Sequence, residues 1–211
     1  MSFNFNHIFH AGLEDDEQIS NSAGVYGFLF NPFQKSKLGL YSGVPISEQR
    51  ASEAKRALIK KLNNYNSLKS SKTIEANLKL LSPAGANEGT FIGKAAIFTD
   101  TFFQPAEIEA LTISEFMAYL EMASHATLLS QAIYCGMTIK QGLRDRYSQH
   151  KSNYESDKPG TFGGRLSNFS ISWNDLIFVY TPIGVPSADS KSIKLLERQI
   201  ITMFNPLLSI R

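Results

Sequence analysis

Tyr134, Arg146 and His150 bring a phenol, a guanidinium and an imidazole into one short stretch of the chain. Ile133 to Thr138 reads as a short buried strand ending in a glycine turn. Leu143 to His150 then reads as a helix, with Leu143, Arg146, Tyr147 and His150 at i, i+3, i+4 and i+7 and so on one face. A core-facing helix usually fills that stripe with aliphatic residues. The planar fork of Arg146 suits two oxygens of a phosphate, and His150 could donate to an oxygen or relay a proton. Arg144 falls off this face, which favours Arg146. Structural readings stand beside these: a surface ion pair of Arg146 with Asp145 or Glu155, a helical histidine held for packing, and a core tyrosine with its hydroxyl satisfied.

A carboxylate is placed for similar work near the end of the chain. Ile193, Leu196, Ile200 and Met203 form the apolar stripe of a last helix, and Glu197 lies on or beside it. A carboxylate there needs a partner or a metal ion, because desolvating it alone is costly. The alternative is a Glu at the edge of the stripe that reaches solvent or a nearby arginine.

Taken together, Tyr134-Cys135-Gly136 followed by Leu143-x-x-Arg146-x-x-x-His150 resembles the signature of the GIY-YIG nuclease family, written Tyr-x-Gly and Leu-x-x-Arg-x-x-x-His/Tyr. Leu196-Glu197-x-x-Ile200-Ile201-x-x-x-x-Pro206 resembles that family's Leu-Glu-x-x-Leu-Ile-x-x-x-x-Pro. The resemblance covers the C-terminal third. It implies a metal-dependent endonuclease that hydrolyses DNA phosphodiester bonds, in the manner of a type II restriction enzyme. Tyr26 or Tyr134 would activate water, Arg146 and His150 would stabilise the phosphate in flight, and Glu197 would bind Mg²⁺ (or Mn²⁺). The family also needs a Gly-x-Tyr strand antiparallel to that of Tyr134. Gly24-Val25-Tyr26 matches in residue type, though more than a hundred residues separate the two strands. Gly89-Thr90-Phe91 is nearer, but Phe91 has no hydroxyl. Ser209 stands where the family carries an Asn, and a serine offers fewer hydrogen bonds to brace a site.

The elements that must hold these residues can be traced from local pattern. Ala23 to Phe30 reads as a strand closed by Asn31-Pro32, and a second short strand is expected near Leu38–Tyr41. Ser47 to about Asn63 is helical, with Ala51, Ala54, Leu58 and Leu62 on one face, and Asn63 to Lys72 reads as a polar loop. Ile74–Leu81 and Thr90–Thr99 form a strand pair around Ser82-Pro83-Ala84-Gly85. Pro105 opens one helix running towards Gln131, with Ile108, Leu111, Phe116, Leu120 and Leu128 apolar. Lys158 to Arg165 reads as a glycine-rich connection, and Leu176 to Tyr180 as an apolar strand. The fold class is α/β mixed (α+β): a small, mainly antiparallel sheet flanked by helices. A single nuclease-like domain would span 1–211, with 32–126 as a structured insertion serving DNA recognition.

Bulk composition narrows the remaining choices. At 211 residues, 43% hydrophobic and 19% charged, the chain is an ordinary globular one. Its net charge of +2 is too small to imply nucleic acid by itself. Locally, Arg50, Lys55, Arg56, Lys60, Lys61, Lys69 and Lys72 are opposed only by Glu53. This is either a solvated helix face or a surface that tracks phosphates, with Lys55, Lys60 and Lys61 as the candidate DNA contacts. Arg165 is a further candidate DNA contact, against the plainer reading of a surface arginine. One cysteine, Cys135, makes no internal disulfide and reads as a small core residue. The expected partner is double-stranded DNA, not a membrane, with a homodimer or higher oligomer suited to a two-fold site, and the expected compartment is the cytoplasm. A non-catalytic nucleic-acid-binding protein on the same scaffold, a repair or mobile-element nuclease, and an interaction protein with no nucleic-acid role are the alternatives.

Overall fold

Apolar alternation and aromatic content bring the strands of this chain together into a four-stranded antiparallel sheet. The computed structural model describes residues 8–12, 14–70, 103–182, 195, 198–203 and 206–208, together with the backbone of 73–80 and 89–96. Strands β1 (Ile8–His10), β2 (Gly24–Phe30), β5 (Tyr134–Thr138) and β6 (Leu176–Pro182) form the sheet in the order β1-β6-β2-β5. A two-stranded antiparallel ribbon, β3 (Thr73–Leu80) and β4 (Gly89–Ala96), is separate from it. The fold is α+β, as the alternation of strand and helix patterns leads one to expect.

Helices α4 (Leu143–Glu155) and α5 (Phe162–Asn168) lie on the sheet face that carries Tyr26, Phe28 and Phe178. The core there is mostly rings: Phe28 sits 4.8 Å from Phe162, 5.3 Å from Trp173 and 5.0 Å from Phe178, centroid to centroid. Tyr147 is buried among them, and its hydroxyl accepts a hydrogen bond of 2.9 Å from the Trp173 indole N–H. Aromatic pairs of this kind add about 0.5–1.5 kcal/mol each beyond their buried area. They also resist rearrangement, so the face is a rigid base for whatever stands on it.

Between β2 and β5 the chain makes α1 (Glu48–Ser70), the ribbon, α2 (Pro105–Ala110) and α3 (Ile113–Ala126). This long excursion has a core of its own, built from Leu58, Leu62, Phe103, Ile108, Phe116 and Leu120. It is tied back to the sheet by Tyr65 stacked on Phe30 at 4.7 Å and by Asn31 donating to Ser124 Oγ.

Several local expectations need correction. No strand forms near Leu38–Tyr41; Lys35–Leu38 is a 3₁₀ turn that Gly39 ends at φ 77°. The stretch 63–70 continues α1, because Tyr65 and Leu68 pack against the sheet core and override its polar composition. The single helix from Pro105 is two. Thr112, extended at ψ 166°, caps a fresh start by accepting from the Glu115 N–H, while Glu115 answers the Thr112 N–H. Leu128 is 45% exposed and Met203 is 78% exposed, so neither belongs to an inward stripe. The glycine-rich connection hides α5: a Cβ on Gly163 would stand 2.4 Å from the backbone nitrogen of Tyr154, so the glycine permits close helix packing. Ile193 and Leu196 lie outside the described residues.

Candidate functional site

Strand β2 pairs antiparallel with β5, setting Tyr26 opposite Gly136 and Phe28 opposite Tyr134. The Gly24–Tyr26 strand is thus the partner of the Tyr134 strand despite the intervening chain. Phe91 pairs with Leu78 in the separate ribbon. The Tyr26 ring lies over Gly136, where an added Cβ would come within 2.6 Å of the phenol oxygen. Only glycine leaves room for that phenol, which gives the Tyr-x-Gly spacing a steric cause.

Helix α4 is fixed over this face at its first turn. Its cap position is Gly142, which offers no side chain, so Leu143 N–H bonds to Ser22 O at 2.9 Å and Arg144 N–H to Ser20 O at 3.2 Å. The segment leading into β2 thereby caps α4 and sets its register against Tyr26. The buried residues of the helix are Leu143, Tyr147 and His150. Arg146, on the same face, is half-buried. The guanidinium of Arg144 turns away instead and donates to the carbonyls of Ile19 (3.0 Å) and Glu17 (2.6 Å).

Three of the sequence-derived residues meet at one oxygen. Arg146 Nε–H donates to the Tyr26 hydroxyl at 3.1 Å, and that hydroxyl lies 2.9 Å from His150 Nε2. A guanidinium has no acceptor, so the phenol oxygen accepts from Arg146; in the tautomer with the imidazole proton on Nδ1, the phenol's own proton points to His150. This requires a neutral imidazole with Nε2 as acceptor. Burial, followed by the nearby charges of Arg146 and Arg165, pushes the His150 pKa down to about 3, which keeps the ring neutral. Its proton then rides on Nδ1, a buried atom with no partner among the described residues. Tyr26 is pushed well above the ordinary phenol range by burial, then by Tyr134, with Arg146 opposing. The resting site therefore holds a protonated phenol between a cation and a neutral base.

Tyr134 completes the face. Its ring is 6.2 Å from Tyr26, 5.2 Å edge-on from His150 and stacked at 4.6 Å on Phe162. Its phenol is within interaction range of both Arg146 and Arg165. Arg165 sits on α5, half-buried, with Nη1 donating to Gly160 O at 2.9 Å. Its charge acts on both Tyr134 and His150. Gln149, which accepts from Arg146 Nη1, and Phe162 were missed by sequence reasoning. Gln149 could have been found from its i+3 spacing to Arg146, whereas no local signal marks Phe162.

Two of the three candidate lysines on α1 have partners within the fold. Lys55 donates to the carbonyls of Glu109 (3.0 Å) and Leu111, and it lies over the Phe116 ring. Lys61 pairs at 2.5 Å with Asp175, a carboxylate only 2% exposed. Lys60 alone of the three is exposed. A lysine next to an uncapped helix end or a buried carboxylate finds a partner there more cheaply than in water, and that decides the matter. A cleft of about 540 Å³ opens elsewhere, between Phe33, Leu40 and Ile46 on one side and Met117 and Leu120 on the other. None of the candidate residues lines it.

Glu197 lies outside the described residues. The segment after it returns to the sheet, where the N–H groups of Leu207 and Leu208 bond to the carbonyls of Ala132 and Ile133, just before Tyr134. Among the described residues no group of three or more His, Cys, Asp or Glu side chains is placed to hold a metal ion. Also among the described residues, no helix is long and apolar enough to cross a membrane.

The chain matches no family model, no curated protein and no solved structure.

Proposed function

We propose that this protein is a metal-dependent endonuclease that hydrolyses phosphodiester bonds of double-stranded DNA, acting as a restriction-type enzyme. One observation carries the reading: Tyr26 on β2, and Arg146 and His150 on the far later α4, converge on a single phenol oxygen beside Tyr134. The group is cationic and phenolic, a setting that favours an oxyanion over a cationic substrate.

The hydrogen-bond directions suggest a proton path. A water poised at the Tyr26 oxygen gives up a proton to it as the phenol proton passes to His150 Nε2. The hydroxide attacks phosphorus, and the bond from phosphorus to the leaving oxygen breaks. Because Tyr26 ionises reluctantly, the two proton movements must be concerted; a standing phenolate is not part of the scheme. Arg146 stays charged throughout and steadies both the phenol oxygen and the phosphoryl charge. Glu197 would hold Mg²⁺, which when bound would supply charge neutralisation on the phosphate and help for the leaving oxygen. Tyr134, rigid against Phe162, orients the water or the phosphate.

Incubation of supercoiled plasmid with the protein, with and without Mg²⁺, tests this directly. Nicked or linear product that requires the metal supports the reading. Intact plasmid across several DNAs, with DNA still bound, would leave a binding protein on the same scaffold.

A further inference from the structure

Two arginines, not one, face the Tyr134–His150 pair. Arg146 reaches it from α4, and Arg165 from α5, one helical turn beyond Phe162. Phe162 is stacked on Tyr134 and edge-on to His150 at 5.5 Å, which brings that turn of α5 to the site. Arg165 has one hydrogen bond to a carbonyl, at Gly160, and its Nε is buried with no partner among the described residues. His150 Nδ1, which carries the ring proton in the arrangement above, is likewise buried and without a partner. Leaving such a buried polar atom unsatisfied is costly, and here two lie in one neighbourhood. Among the described residues, no carboxylate figures in the groups acting on either residue. Two guanidinium groups gathered without a described countercharge suit an anion.

We propose that Arg165 is a second phosphate-binding residue of this site, holding a phosphoryl oxygen beside Tyr134 while Arg146 serves the Tyr26 side. The inference rests on the nuclease reading for its substrate, but its chemistry is that of any phosphate oxygen. Arg165 would then act on the same phosphate as Arg146 or on the one beside it. The guanidinium is suited to this by its fork, which a lysine point charge reproduces only in part.

The test uses the full chain without metal and inorganic phosphate as the probe, following the His150 ring signals by NMR. The wild type should show saturable shifts at His150. Arg165→Ala should weaken that binding at least tenfold, and Arg165→Lys should recover part of it, with thermal unfolding showing that both variants remain folded. In DNA cleavage, Arg165→Ala should lower kcat about tenfold or more with a smaller change in KM. Unchanged phosphate binding in folded Arg165→Ala overturns the proposal even if DNA is cleaved. Loss of phosphate binding in that variant upholds the anion site even if no DNA is cleaved, in which case only the nuclease reading falls.

Discussion

At the scale of single residues, helical phase separates two neighbouring arginines. Arg146→Ala should lower the cleavage rate about a hundredfold or more, because it removes a charge that acts on the phosphoryl group. Arg144→Ala should leave kcat close to wild type but cost about 1–3 kcal/mol of stability, since its guanidinium ties α4 to Glu17 and Ile19. Rate measurements alongside urea unfolding check both, and similar rate losses would mean that Arg144 also reaches substrate. His150 gives a pH prediction. Its pKa is depressed in the folded protein to about 3, so below the ordinary histidine value the unfolded chain binds the extra proton. Its contribution to stability is complete above about pH 6.5 and drains away as pH falls towards 3. His150→Gln should flatten that part of the stability profile in thermal unfolding at stepped pH. The i, i+3, i+4, i+7 spacing made Arg146 and His150 legible from sequence alone. Arg165 was not legible as a neighbour of Tyr134, because its position depends on how α5 packs and not on any local period.

At the scale of elements, periodicity located strands and long helices well but could not see what tertiary contact adds. The β2 and β6 patterns were clear because both strands are apolar almost throughout. The last two turns of α1 read as loop, since only Tyr65 and Leu68 in a polar stretch reveal the contact with the sheet. Helix α5 was hidden because Gly163 is required by the approach of Tyr154, and Gly164 by that of the Lys158 backbone, and not by a turn. The basic run on α1 has a related feature that sequence could not show: charge pattern does not tell which lysines have partners. Lys61→Ala should therefore destabilise the fold by about 3–5 kcal/mol, because it strands the buried Asp175. Lys60→Ala should have little effect on stability, being exposed. Denaturant unfolding of the two variants compares them, and a neutral Lys61→Ala would show that the Asp175 ion pair is dispensable.

At the scale of the whole molecule, a sheet made from distant segments brings the candidate residues together. Tyr26 and Tyr134 belong to adjacent strands because the chain between Phe30 and Tyr134 leaves and returns as a unit with its own core. Closing so long a loop costs only slightly more than closing a short one, so the excursion is affordable once it is folded. The strand pairing was legible only through the chemistry expected of the two tyrosines; no spacing rule would have chosen Gly24–Tyr26 over the nearer Gly89–Phe91. The central claim is that the Tyr26 oxygen passes protons between water and His150 during phosphodiester hydrolysis. Its most direct test is Mg²⁺-dependent plasmid cleavage by wild type and Tyr26→Phe, with DNA binding measured in parallel. Tyr26→Phe keeps the ring and loses only the oxygen, so the account predicts cleavage by the wild type, a loss of about a hundredfold or more in the variant, and unchanged DNA affinity. Cleavage at the wild-type rate by a folded Tyr26→Phe protein, or no cleavage by the wild type on any DNA, would contradict it.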